Sequence, residues 1–111
     1  MSLNCIDFNI KRGSLYPALD AILKDENDEV FSLSGATSAM FIMRPLQTQT
    51  AITGSATIVD SSAGHVRYEW NSGDTDIAGY ADAEFKVFFG SEPMSFPSDG
   101  YVTINITESL I

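Results

Sequence analysis

The chain has 111 residues, 44% of them apolar, which is enough for one domain with a real hydrophobic core and too few for two. Fifteen acidic residues face six basic ones, a formal charge of −9 that excludes phosphate-neutralising nucleic-acid binding and disfavours anionic membranes. The single Cys5 excludes an internal disulfide, no apolar run approaches the roughly 20 residues of a membrane helix, and the N-terminus has no signal-peptide h-region.

A period of two dominates the chain. Ile6, Phe8 and Ile10 alternate with Asp7 and Asn9, predicting a first strand with one apolar face. A second strand is predicted over Ala18–Lys24, with Leu19, Ala21 and Leu23 on one face, then an acidic turn at Asp25-Glu26-Asn27-Asp28. A short strand is expected at Val30–Leu33, ending at Ser34-Gly35. In Ala36–Arg44 both faces are apolar, Phe41 and Met43 against Met40 and Ile42, which suggests a strand near the middle of the sandwich; Ala and Met also suit a helix, but the short length and the stop at Pro45 favour strand. Leu46–Gly54 is polar and rich in Thr and Gln, and reads as an exposed loop or poorly ordered edge.

Ser55–Asp60 and His65–Trp70 flank Ser61-Ser62-Ala63-Gly64, a hairpin loop by length and composition. Asn71–Gly79 reads as a longer corner. Ala81, Ala83, Phe85, Val87 and Phe89 then alternate with Asp82, Glu84 and Lys86, the best strand pattern in the chain. Turns are predicted at Gly90–Pro93 and at Pro97-Ser98-Asp99-Gly100, with Met94–Phe96 between them and Val102, Ile104 and Ile106 on the last strand. Seven or eight short strands with no helical stripe predict an all-β fold, an antiparallel immunoglobulin-like β-sandwich occupying residues 1–111 as one domain.

Residues capable of chemistry are sparse. His65 is the only histidine and follows the hairpin glycine, so it is expected on a solvated strand face without a catalytic partner. Cys5 reads as a small packing residue. Asp25, Glu26, Asp28 and Glu29 supply oxygens of the kind calcium takes, and Asp74 and Asp76 form a weaker pair, but neither has EF-hand spacing and solvated turns explain both. Trp70 alternates with Tyr68 and Val66, which favours the core over a sugar- or partner-binding role. Asp76, Gly79 and Tyr80 suggest a tyrosine corner, against which Tyr80 lies on the opposite parity from Ala81, Ala83 and Phe85. Asn105-Ile106-Thr107 fits a glycosylation sequon, a pattern common by chance. The expectation is therefore no catalytic residue, no metal ligand and no cofactor.

Four segments carry a resemblance over nearly the whole chain. They are Lys11-Arg12-Gly13 followed by Leu19–Asp25; Leu33-Ser34-Gly35-Ala36 leading into Phe41–Arg44; Gly64-His65-Val66-Arg67-Tyr68-Glu69-Trp70 with Asp74-Thr75, Gly79-Tyr80 and Ala83-Glu84-Phe85; and Phe96-Pro97-Ser98-Asp99-Gly100-Tyr101 before the last strand. In these the chain resembles the N-terminal domain of phage baseplate upper proteins, an immunoglobulin-like phage tail module. Ser14, where that family typically has an acidic residue, and the Glu92-Pro93 turn depart from its pattern.

The resemblance implies a non-enzymatic virion structural protein of the tail or baseplate, made in the bacterial cytoplasm. It also implies other tail or baseplate proteins as partners and is compatible with a homo-oligomer. Proteins of that family are often longer, so the chain reads as a stand-alone adaptor or as one copy of the module. Leu46–Gly54, or an exposed strand edge, is the expected contact. Two other classes compete: a carbohydrate- or surface-binding β-sandwich module, and, less favoured, a small enzyme using carboxylates.

Overall fold

The computed structural model describes residues 7–25, 27, 29–96 and 102–110, and these form eight strands and no helix. The strands are β1 (Asp7–Lys11), β2 (Leu19–Ile22), β3 (Ser38–Pro45), β4 (Ile52–Asp60), β5 (His65–Tyr68), β6 (Gly79–Phe89), β7 (Glu92–Phe96) and β8 (Val102–Thr107). The sheet order is β1-β8-β6-β3-β4-β5-β2, with β7 alongside β6. The whole is a mixed sheet curled until it is nearly barrel-shaped.

The sheet is not purely antiparallel as the sequence predicts. β1 runs parallel to β8, Phe8 opposite Ile104 and Ile10 opposite Ile106. A parallel pair needs a crossover connection, and here nearly the whole domain lies between the two strands. Every other strand pair is antiparallel.

Two strands change partners along their length. The first half of β6 pairs with β8 (Gly79 to Ala83) and its second half with β7 (Phe85 to Phe89), so β7 and β8 share one edge of β6. β4 pairs with β3 from Ile52 to Ala56, then with β5 from Thr57 onward, with a register shift between Ile58 and Asp60. Extra residues of this kind bend a strand and raise its twist. β4 is thus the corner where the sheet folds over onto itself.

The alternating residues predicted to be apolar-inward do line the interior: Ile10; Leu19 and Ala21; Phe41 and Met43; Val66 and Tyr68; Ala81, Ala83, Phe85 and Val87; Ile104 and Ile106. β3 sits at the middle of the strand order, as its two apolar faces suggest, with Met40 and Ile42 half-buried on the outer face. Phe41 is fully buried at the centre. Its ring stacks on Tyr68 at 4.3 Å between centroids, meets Trp70 edge-on at 5.7 Å and lies 5.2 Å from Phe85.

Three sequence expectations are corrected. Ile52–Gly54 belongs to β4, which shortens the predicted loop to residues 46–51. Small residues, Gly54 and Ala56, follow Ile52 at the inward positions, the ring of Tyr68 filling the space at Gly54, and that weakens the apolar alternation that marks a strand. Val30–Leu33 is not a strand; its ladder contact is the single bridge Lys24–Val30. The β6–β7 turn is tighter than predicted, at Gly90-Ser91, and Pro93 lies within β7. β7 pairs only with β6, and an edge strand tolerates a residue without an N–H. The predicted turn at Pro97–Gly100 lies outside the described residues, as do Cys5 and Ile6.

Replacing Phe41 with Ala removes a ring packed on three others and is expected to destabilise the fold by about 3–5 kcal/mol. Urea unfolding followed by tryptophan fluorescence checks this; a loss below about 1 kcal/mol contradicts the central placement of that ring.

Candidate interaction surface

Several of the residues with potential for chemistry make contacts within the fold. His65 lies on β5, and its Nε2 is 2.9 Å from Asp20 Oδ1 on β2. Arg67 Nε donates to the same oxygen at 2.8 Å. Asp20 and Arg67 are directly opposed across the β2–β5 pair, so the carboxylate ties the last antiparallel pair of the sheet together. The hydrogen bond from His65 holds the Asp20 carboxyl below its ordinary range; partial burial opposes this, and a hydrogen bond and the positive charge from Arg67 reinforce it. Neither a serine nor a cysteine is a hydrogen-bond partner of His65 among the described residues.

The acidic turns act as turn chemistry. Asp25 Oδ1 accepts the backbone N–H groups of Asn27 at 2.9 Å and Glu29 at 3.0 Å; Glu26 and Asp28 lie outside the described residues. Asp74, considered from sequence as part of a cation pair, has a different role. Its Oδ2 accepts the Tyr68 hydroxyl at 2.6 Å and the Asn71 N–H at 2.8 Å. Burial first, then the bond to Asp74, pushes the Tyr68 phenol well above the ordinary tyrosine value. Asp76 is exposed.

Trp70 is a core residue, as its alternation predicts, and its indole N–H donates to the Pro17 carbonyl at 3.1 Å. Tyr80 does not form a tyrosine corner: it is 57% exposed at the start of β6. The parity that weakened the corner reading is the parity that turns its side chain outward. Asn105 and Thr107 lie half-buried on β8.

The strand directions place four segments at one end of the domain. β1, β5 and β8 run toward it, β3 ends there, and β2, β4 and β6 start there. The connections 12–18, 46–51 and 69–78 and the segment after Thr107 therefore gather together. They are held by specific bonds. The buried Thr75 hydroxyl donates to the Ser14 carbonyl at 2.9 Å, the Gly13 N–H donates to Thr75 O at 3.0 Å, and Arg12 pairs with Glu108 at 3.1 Å. In the 46–51 connection, Gln49 N–H bonds Pro45 O and its side-chain amide bonds Leu46 O.

This end is where the exposed apolar side chains concentrate. Among the described residues ten large apolar or aromatic side chains are exposed, and six of them are here: Leu15, Tyr16, Leu46, Ile77, Tyr80 and Leu110. Leu46 and Tyr80 are neighbours, since the Leu46 N–H bonds the Tyr80 carbonyl at 3.0 Å and extends the β3–β6 ladder by one residue. Next to them on the outer face is a half-open hollow of about 210 Å³, lined by Ile42, Arg44, Ala51, Asp82, Ala83 and Glu84. It presents an apolar floor with one guanidinium and two carboxylates. Sequence reasoning named only Leu46–Gly54, or an exposed strand edge, because the residues of this surface come from four separate segments and the start of β6.

No protein-family model matches the chain, and no curated protein matches it in sequence.

Two titrations follow. Because the folded-state acid strength of Asp20 exceeds that of the unfolded chain, its contribution to stability is complete above the ordinary carboxylate value and is lost as pH falls from there through the lower folded value. Asp20→Asn is therefore expected to lose stability less steeply than the wild type between about pH 5 and pH 3, read as the difference in unfolding midpoints; parallel curves contradict the bridge. For Tyr68 the sign is reversed, since its folded pKa is raised. Its hydroxyl is expected to stay protonated in the native protein at pH values where free tyrosine ionises, so absorbance titration at alkaline pH should show its phenolate only with unfolding.

Proposed function

We propose that the chain is a non-enzymatic structural component of a phage or prophage virion, a tail or baseplate protein that connects to other tail proteins through its apolar loop end. The observation that carries this is the concentration of exposed Leu15, Tyr16, Leu46, Ile77, Tyr80 and Leu110 at one end. Apolar clusters on an otherwise charged protein mark interaction sites. The hydrogen bonds of Thr75, Trp70 and Gln49 favour a pre-formed surface, whose ordering cost on binding is small. The sequence resemblance supplies the phage context.

A finer fold reading belongs with this proposal. The runs β8-β6-β3-β4 and β4-β5-β2 correspond to the G-F-C-C′ and D-E-B orders of immunoglobulin-like sandwiches, if β4 serves as the strand shared between the two sheets. On that reading the parallel β1–β8 pair closes one edge of the first sheet. The contact predicted from sequence at Leu46–Gly54 narrows to 46–51 together with its neighbours on β6, because deletion through Gly54 would also remove the start of β4.

One observation favours a second reading, a carbohydrate-binding module: the exposed Tyr80 ring is opposite Asn105 on the adjoining strand, an aromatic platform beside an amide. Glycan-array binding lost on Tyr80→Ala would favour it.

The virion role is tested by quantitative mass spectrometry of purified particles induced from the source strain. A fixed multiple copy number per particle is expected. Consistent absence from intact, infectious particles overturns the role.

A further inference from the structure

We propose that the apolar loop end is a self-association surface, through which two copies of this chain meet about a two-fold axis. The proposal rests on the reading of this end as an interaction surface and names its occupant. Two constraints select a second copy and this end.

The first is charge. Each copy has a formal charge of −9, so two copies approach favourably only where like charge is least concentrated. The opposite end, reached by the connections after β2, β4 and β6, has among the described residues Asp25, Glu29, Asp60 and Glu92 with Lys24. The loop end is mixed instead. Lys11, Arg12 and Arg44, half of the six basic residues of the chain, lie there with Glu69, Asp76, Asp82 and Glu108. The Asp74 carboxylate is turned to the Tyr68 hydroxyl and the Asn71 amide.

The second is self-complementarity. A two-fold contact sets each patch against its own copy, so it requires both signs of charge and apolar surface within a single patch. Arg44, Asp82 and Glu84 around the hollow, beside Leu46 and Tyr80, meet that requirement. A basic partner would be drawn instead to the acidic end.

The contact is apolar between two molecules of like net charge, and this fixes its salt dependence. Screening weakens the repulsion between the copies, so association strengthens as ionic strength rises; a contact made by opposite charges would weaken. The test is sedimentation velocity of the intact chain from about 10 μM to about 1 mM, at low salt and near 0.5 M NaCl. The variants are Leu46→Ser with Tyr80→Ser and, as a control, Val59→Ser, which alters an exposed apolar residue on β4 away from this end. Circular dichroism and thermal melts verify that all are folded.

The expected result is a concentration-dependent dimer, tighter at high salt, weakened at least about tenfold by the double variant and unchanged by Val59→Ser. A monomer under all conditions overturns the proposal. So does a dimer that weakens with salt, or one indifferent to the double variant. These outcomes are separable from the virion role: a monomer in solution that is present at fixed copy number in particles removes only the dimer, and a dimer absent from particles removes only the virion role.

Discussion

Tyr68 is the residue on which the two halves of the sheet and the loop end both depend. Its ring is stacked on Phe41 of the central strand, its hydroxyl is bonded to Asp74 in the connection leading to β6, and its edge lies against Gly54 of β4. A Cβ at Gly54 would fall 2.7 Å from both Cε1 and the hydroxyl oxygen of Tyr68. That is well inside van der Waals contact, so only glycine lets β4 pass this close while turning from β3 to β5. One phenol thus sets the packing at the corner and, through Asp74, the start of the 69–78 connection. Trp70, two residues on, extends the same arrangement to the 12–18 connection through Pro17.

The proposed function rests on this rigidity. The side-chain bonds of Arg67, Tyr68, Trp70 and Thr75 tie strands and connections together. A curled sheet with its loop end fastened in this way is suited to presenting a surface. Five of the six exposed apolar residues belong to four separate segments and Tyr80 to the start of β6, and these segments are fastened by the bonds of Trp70, Thr75, Gln49 and Leu46.

Much of the fold was readable from the alternation of apolar residues, most clearly in β6, β8 and β5, where a buried face meets a half-exposed one at every second residue. What was hidden has physical reasons. In the first part of β4 the inward residue after Ile52 is Gly54, whose space the ring of Tyr68 occupies, so a glycine followed by Ala56 concealed a strand. The parallel β1–β8 pair joins the two ends of the described chain, and no local pattern encodes a contact so distant in sequence. Trp70 was placed correctly in the core by its period, and the parity of Tyr80 already indicated an outward ring. The role of Asp74 was invisible, because a carboxylate that accepts a buried phenol looks in sequence like any other acidic turn residue.

The dependence on Tyr68 is tested most directly by measuring the cost of Gly54→Ala in two backgrounds, wild type and Tyr68→Leu. If the contact between ring and glycine is the constraint described, the substitution costs about 1–3 kcal/mol in the wild type and close to nothing once the phenol is gone. An equal cost in both backgrounds would contradict the account, because Gly54 would then be required for some reason other than the approach of Tyr68.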